Sequence, residues 1–273
     1  RSVSRGLGDV YKRQTFNGSL FLLPKDCRLT EFTLEGISNI QGDFQCIDYF
    51  YVKEFVMPFI RVAGDMTIAL NSGSVNTAAE IEFPKLQEIG GTLTLGTNRN
   101  ANNITFPLLK KILGSCSVTT YKLKNDIEFT NLESIGTDGA DAQIKFEIEA
   151  TNILCPKLKT INGKFDIATS SFMFDMEVDK VSYPNVESIS ENLSITCPYS
   201  DFGSNGILSI DFSGLKSAKG ISISGQGDVT DFSSFKYLFE NNVLTGESQW
   251  SVKECGYNPT FQEMKDGKYK LAE

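Results

Sequence analysis

The chain switches between two apolar rhythms, and it does so at regular intervals. In residues 83–95, FPKLQEIGGTLTL, Phe83, Leu86 and Ile89 recur every three residues. Gly90 and Gly91 follow, and then Leu93 and Leu95 alternate with threonines. The succession returns at Phe106-Pro107-Leu108-Leu109-Lys110-Lys111-Ile112 with Gly114, Cys116 and Val118. It returns again at Cys155-Pro156-Lys157-Leu158 with Ile161, Gly163, Phe165 and Ile167. Phe129, Tyr183 and Phe212 head three more copies, the first with an insertion after Gly136 and the last one residue shorter; Leu34 and Met57 head two earlier ones. The eight anchors fall at 34, 57, 83, 106, 129, 155, 183 and 212, separated by 23, 26, 23, 23, 26, 28 and 29 residues. Self-similarity at such a period is the signature of a solenoid.

Each copy reads the same way. A short alternating run such as Ile81-Glu82-Phe83 or Ile210-Asp211-Phe212 predicts a strand with one buried face. The proline after the anchor cannot donate to a ladder, so the strand ends there and a corner begins. Leu and Ile at the third and sixth places are expected to point inward from a tight, 3₁₀-like bend. Glycine permits the next corner, and the x-Leu-x-Leu run predicts a second strand. One coil is thus strand, corner, strand and return loop, and the fold class is an all-β parallel helix of about eight coils. A single coil carries too few apolar side chains to offset the entropy of ordering itself, so its neighbours must close it.

The ends depart from this frame. Residues 231–242 place Phe232, Phe235, Leu238 and Phe239 on one helical face with Asp231 as N-cap. The stretch from Asn258 reads as a second short helix, with Asn258 capping, Pro259 in the first turn and Gly267 past the end. With Trp250 and Tyr257 these residues predict a cap, 231–273, over the last coil of a repeat domain at 15–230. Residues 1–14, RSVSRGLGDVYKRQ, are basic and fit no repeat frame; they resemble a translated sequencing adapter. They are therefore expected not to be natural protein, with the native chain continuing upstream in more coils; a genuine basic tail is the alternative.

Composition narrows the chemistry. The 273 residues contain no histidine, which removes Ser-His-Asp and Cys-His catalysis and every His-ligated metal. A net charge of −8 argues against nucleic acid or anionic membrane as partner. No apolar run approaches the roughly 18 residues of a membrane helix. The six cysteines show no CxxC pairing, so zinc is not expected. Cys46, Cys116 and Cys155 occupy inward repeat positions as small hydrophobes, whereas Cys27, Cys197 and Cys255 are left open to pairing.

The motif aromatic-Pro-x-Leu-x-x-Ile-x-Gly-x-Leu-x-Ile, as in 83–95, 155–167 and 183–195, resembles the receptor L domain and related leucine-rich-repeat β-helices. Similar repeats occur in extracellular parts of growth-factor receptors, in fungal wall proteins and in secreted or lipid-anchored surface proteins of gut Bacteroidetes. The C-terminal CGYNPTFQEMKDGKY looks like tails of that bacterial group. The resemblance covers about residues 16–240. It implies a right-handed solenoid exposed outside the cell, as a surface lipoprotein or secreted protein, that works by binding or adhesion. It carries no common catalytic residues, so none is transferred, and no cofactor is expected.

The outward positions of the second strand are mostly small and polar: Thr92, Thr94, Ser115, Ser117, Lys164, Asp166, Asn192, Ser194 and Ser222. They read either as a docking face or as a plain solvated sheet. The return loops 71–80, 96–103, 136–142, 170–180 and 197–206 vary most, and loops on a rigid scaffold commonly carry function. Asp138 and Asp141 could offer oxygens to calcium, but they lack the DxDxDG spacing. Phe172, Met173, Phe174 and Met176 are unusually apolar for a loop, and are expected to form either a packed extra strand or a contact patch. N-x-S/T sequons begin at Asn17, Asn103 and Asn192.

Three readings follow. The leading one is a monomeric, non-catalytic binding or adhesion module with a protein or glycan partner at the cell surface. A structural spacer within a larger surface protein is the second. A polysaccharide-acting β-helix enzyme is the third, and it would require several charges converging in a cleft; Lys164 and Asp166 are the one opposite-charge pair read two apart on an outward strand.

Overall fold

The computed structural model describes residues 14–22, 31–34, 36–47, 54–70, 79–97, 101–120, 125–139, 141–148, 152–169, 180–196, 207–225 and 227–272. It is a β-solenoid of about seven turns. Like strands of successive coils pair in parallel into long sheets. Sheet A has eight strands, from Gln14–Phe16 to Ser188–Ile189, and sheet B has ten, from Leu20–Leu22 to Trp250–Lys253. Sheet C runs through six strands, from Glu31–Thr33 to Ile153–Leu154; Lys180–Ser182 and Ser209–Asp211 form a separate pair.

The coils therefore have three strands where the sequence pattern predicted two. The bend after the anchor is real but short. In the FPKL stretch the Leu86 N–H donates to Phe83 O at 3.3 Å, closing a four-residue turn with proline in its second place. The same bond recurs from Leu109 to Phe106 (3.3 Å), Leu132 to Phe129 (3.2 Å) and Val186 to Tyr183 (3.2 Å). Beyond it, Glu88–Ile89, Lys111–Ile112, Ser134–Ile135 and Thr160–Ile161 pair coil to coil as sheet A. Two-residue strands carry no periodicity of their own, which is why they read as part of a bend. Leu86, Ile89, Leu93 and Leu95 point inward and are buried, as are their counterparts from the Phe106 copy onward. The two earlier copies depart from the pattern: Ile37 is only partly buried, and Ile60 is exposed while Phe59 is buried in its place.

Coil spacing fixes what each column can hold. Phe83, Phe106 and Phe129 stack face to face at 5.1 Å with interplanar angles of 4° and 12°. At the next anchor the ring is missing, because Cys155 stands there. Tyr183, one coil further, donates its hydroxyl to Ile153 O at 2.9 Å, so its ring leans back over the Cys155 coil. Phe146 and Phe165 of sheet B approach that ring at 6.0 and 5.5 Å and each other at 5.1 Å. Three rings thus cluster against the coil that lacks the phenylalanine. The inward cysteines behave as small hydrophobes: burial raises the Cys46 and Cys155 thiols strongly and pushes Cys116 up to about 12. Cys255 is buried as well; Cys27 and Cys197 lie outside the described residues.

At the corner from sheet A to sheet B the backbones touch. Gly91 N–H donates to Gly64 O at 2.9 Å and Gly114 N–H to Gly91 O at 3.0 Å. A Cβ built on Gly114 would lie 2.6 Å from the carbonyl carbon of Gly91, so the glycines are required by close approach. On the outside, one column runs Gln87, Lys110, Glu133, Lys159, Glu187, Lys216, each N–H bonded to the carbonyl of the residue before it in the column. Its charges alternate, and Lys216 reaches Glu187 at 2.9 Å. Like charges in register repel while opposite charges attract, so the alternation favours this coil alignment over a slip by one coil.

The cap forms, with altered details. Its parts are a 3₁₀ turn (Ser233–Phe235), helix α1 (Lys236–Glu240), a second 3₁₀ turn (Glu247–Gln249), the strand Trp250–Lys253 and helix α2 (Phe261–Lys265). Trp250 lies on the last strand of sheet B, with Phe239 edge-on at 5.1 Å. Asp231 accepts from Ser233 N–H at 2.7 Å but is not the N-cap expected of it: Phe232 occupies that place for the 3₁₀ turn and Phe235 for α1, neither with a side-chain cap. Asn258 does not cap α2. Thr260 does, accepting from Glu263 N–H at 3.2 Å while the Glu263 carboxylate accepts from Thr260 N–H at 2.9 Å. Asn258 instead accepts from Cys255 N–H at 3.0 Å. Gly267, at φ +80°, ends the helix. Gln14 opens sheet A, and residues 1–13 lie outside the described residues.

Two substitutions test these constraints. Gly114→Ala should lose about 1–3 kcal/mol of unfolding free energy in chemical denaturation; unchanged stability would show that the corner can give way. Cys155→Phe restores the repeat's own residue, yet it should also lose about 1–3 kcal/mol, since the space is already filled. A stabilised Cys155→Phe protein would contradict the filled-volume account.

Candidate functional site

The outer face of sheet B is built in columns by the register of its strands. One column runs Phe21, Gln45, Thr67, Thr94, Ser117, Lys145, Asp166, Ser194, Ser222 and Ser251. The column two residues further along the strands includes Thr119, Glu147, Ala168, Thr196, Ser224 and Lys253. Thr94, Ser117, Asp166, Ser194 and Ser222 thus share one line, as the alternation predicted. Lys164 stands one alternate place upstream, beside Gln143, and Asn192 opens its strand exposed. Thr92 and Ser115 serve the corner instead: Thr92 N–H donates to Asp65 Oδ1 at 2.7 Å and Ser115 Oγ accepts from Gln143 N–H at 3.0 Å.

The middle of this face holds more charge than the sequence pattern suggested. Ala142–Ile148 and Gly163–Thr169, seven residues each, pair along their whole length. On them lie two lysine–carboxylate pairs: Lys164–Asp166 at 3.0 Å and Lys145–Glu147. Lys145 and Asp166 are register partners, so all four groups adjoin. The second pair has the same K-x-acid spacing as the first and is legible in the sequence, since Lys145 and Glu147 alternate with the inward Ile144, Phe146 and Ile148. Lys164 and Asp166 are therefore not the sole such pair.

Thr119 Oγ1 donates to Glu147 Oε2 at 2.7 Å. Partial burial of the Glu147 carboxyl raises its pKa, but the hydrogen bonds from Lys145 and Thr119, with the lysine's charge, outweigh burial and hold it below the usual range. The four charges lie on a sheet face rather than in a cleft. The groove found elsewhere is at the cap, lined by residues including Trp250, Val252, Pro259 and Phe261.

Other expected positions fall differently. Among the described residues no group of three or more His, Cys, Asp or Glu side chains is placed to hold a metal ion. Asp138 and Asp141 are exposed, and their segment is not a return loop: it forms the corner between Ser134–Ile135 and Ala142–Ile148. The other variable segments fall, in chain order, between a sheet B strand and the strand that follows it. Phe172, Met173, Phe174 and Met176, with most of those loops, lie outside the described residues. Asn17 and Asn192 are exposed, and Asn103 lies on Ala101–Thr105. No described helix is long and apolar enough to cross a membrane. No family model, curated protein or solved structure matches the chain.

The depressed Glu147 carboxyl carries a pH signature. A carboxylate stabilised in the folded state contributes above its unfolded pKa, and the contribution fades as pH falls through the folded value. Thermal melts of the natural protein and of Glu147→Gln, taken between about pH 7 and about pH 3, should differ at the neutral end and converge at the acid end. A gap that stays constant over that range would show that Lys145 and Thr119 do not favour the ionised form.

Proposed function

We propose that the chain is a non-catalytic binding module, presenting the outer face of sheet B and the adjoining loop edge to a protein or glycan partner. The observation that carries this reading is the four-charge group Lys145, Glu147, Lys164 and Asp166 on the two longest strands, flanked by hydroxyl columns. Paired charges and hydroxyls on a rigid sheet offer donors and acceptors at fixed spacing, so a polar partner can be met without reordering the backbone. The group pairs within itself and lies on an open face, which suits recognition better than acid–base chemistry that needs an enclosed, perturbed carboxylate. Placement at the cell surface or in the secreted fraction rests on the resemblance to receptor L-domain repeats.

The test is a screen of the purified chain on glycan arrays and extracellular protein panels, repeated with Lys145→Ala/Asp166→Ala and with Ser117→Arg/Ser194→Arg. Partners of this face should lose at least about tenfold in affinity with either double variant. Hits indifferent to both variants would move the site elsewhere, and no hits at all would favour the spacer reading.

A further inference from the structure

The last strand of sheet B ends in an edge that sits inside a groove. Trp250–Lys253 pairs with Gly220–Ser224 on one side, and among the described residues no strand follows it in the sheet. Residues of both its faces line the groove: Trp250 and Val252, which turn toward the core, and Ser251 and Lys253, which turn outward. The groove therefore runs along the strand's edge rather than over one face. Its far wall is the segment 258–262, held in place by Trp250 Nε1–H donating to Pro259 O at 2.9 Å and by the Thr260–Glu263 capping box.

Main-chain geometry says which groups face that groove. Lys253 O accepts from Gly225 N–H at 3.1 Å, on the side of the preceding strand. Alternation along a strand then assigns Ser251 to that same side and turns the N–H and C=O of Trp250 and Val252 to the outer edge. The Trp250 N–H is taken by Glu247 O in the 3₁₀ turn. That leaves the Trp250 carbonyl and both main-chain groups of Val252 aimed into the groove, in the arrangement by which each earlier strand of sheet B receives its successor.

We infer that this groove is a strand-addition site for an extended peptide segment of a partner protein, which would lie alongside Trp250–Lys253 and continue sheet B. Main-chain hydrogen bonds would hold the peptide, and Glu247 and Lys253 at the rim would read its flanking charges. The site lies at the end of sheet B, shares only Ser251 and Lys253 with its outer columns, and does not depend on the reading given for Lys145, Glu147, Lys164 and Asp166.

Proline is tolerated on an edge strand where its missing N–H faces outward, so Val252→Pro removes the outward Val252 donor, together with part of the packing its partly buried side chain makes against the core. The probe is a displayed library of random linear 12-residue peptides, selected on the full chain. Enriched peptides should lose at least about tenfold in affinity for Val252→Pro and be indifferent to Lys145→Ala/Asp166→Ala. Should Val252→Pro melt abnormally, amide exchange of the unaltered chain replaces it: the Val252 N–H should exchange fast alone and slow down on peptide addition. Failure to enrich any peptide, or enriched peptides that neither sense Val252→Pro nor protect the Val252 amide, would overturn the inference. Protection of that amide without peptide, rising with chain concentration, would assign the edge to a second copy of the chain and also overturn it.

Discussion

Everything in this molecule follows from the distance between parallel neighbours. Strands in a sheet lie about 4.8 Å apart, and in a solenoid that distance becomes the repeat of the whole chain. Equivalent residues of successive coils are forced into columns, so each position must suit its copy above and below. Flat rings can meet this condition by stacking, as Phe83, Phe106 and Phe129 do at 5.1 Å. Glycine meets it where backbones touch, as at Gly91 and Gly114. Charges can meet it by alternating, as from Lys110 to Lys216, although sheet C also holds Glu31, Glu54 and Glu80 in register. The composition of the repeat is a list of the side chains that tolerate a copy of themselves, or of their opposite, one strand away.

That constraint also explains what could be read from the sequence. The inward columns were legible because each is tested eight times, and a position obeyed so often is visible without structure. Sheet A was misread because its strands from Arg61–Val62 onward contribute two residues apiece, too few to show alternation, and only the coil-to-coil pairing reveals them. Lys145 and Glu147 are a different case: they alternate with the inward Ile144, Phe146 and Ile148, so the pattern marks them as outward just as it marks Lys164 and Asp166. In the cap no repetition exists, so local chemistry must decide. There, T-x-x-E at Thr260–Glu263 was an available capping-box signal, and Asn258 was preferred to it because it preceded a proline. The adjoining Asn258 instead ties down the Cys255 turn, a role that no helical pattern encodes.

Departures from the column rule are informative in the core as well. Cys155 breaks the aromatic stack, yet the interior stays closed because Tyr183 tilts back to hydrogen-bond Ile153 O and two sheet B rings move into contact. The exchange couples one face of the coil to another: a small anchor on one strand is matched by large side chains across the interior. It also places the two aromatic strands of sheet B, carrying Phe146 and Phe165, directly beneath the charged group on its outer surface, since inward and outward residues alternate along the same seven-residue strands.

The rigidity of those strands bears on how the outer group can act. Its lysines and carboxylates are already paired, so a partner gains little from long-range attraction and must compete with Lys145–Glu147 and Lys164–Asp166 for hydrogen bonds. Such a surface selects by geometry more than by net charge. The strand edge at Trp250–Lys253 works on the opposite principle. Its carbonyls and amide are aimed into a groove by the same alternation that built every earlier pairing, so a peptide there would be recognised by backbone spacing, with side chains secondary. A fold made by adding strands one at a time thus leaves a face that is chemically complete and an edge that is not, and the two invite different kinds of contact.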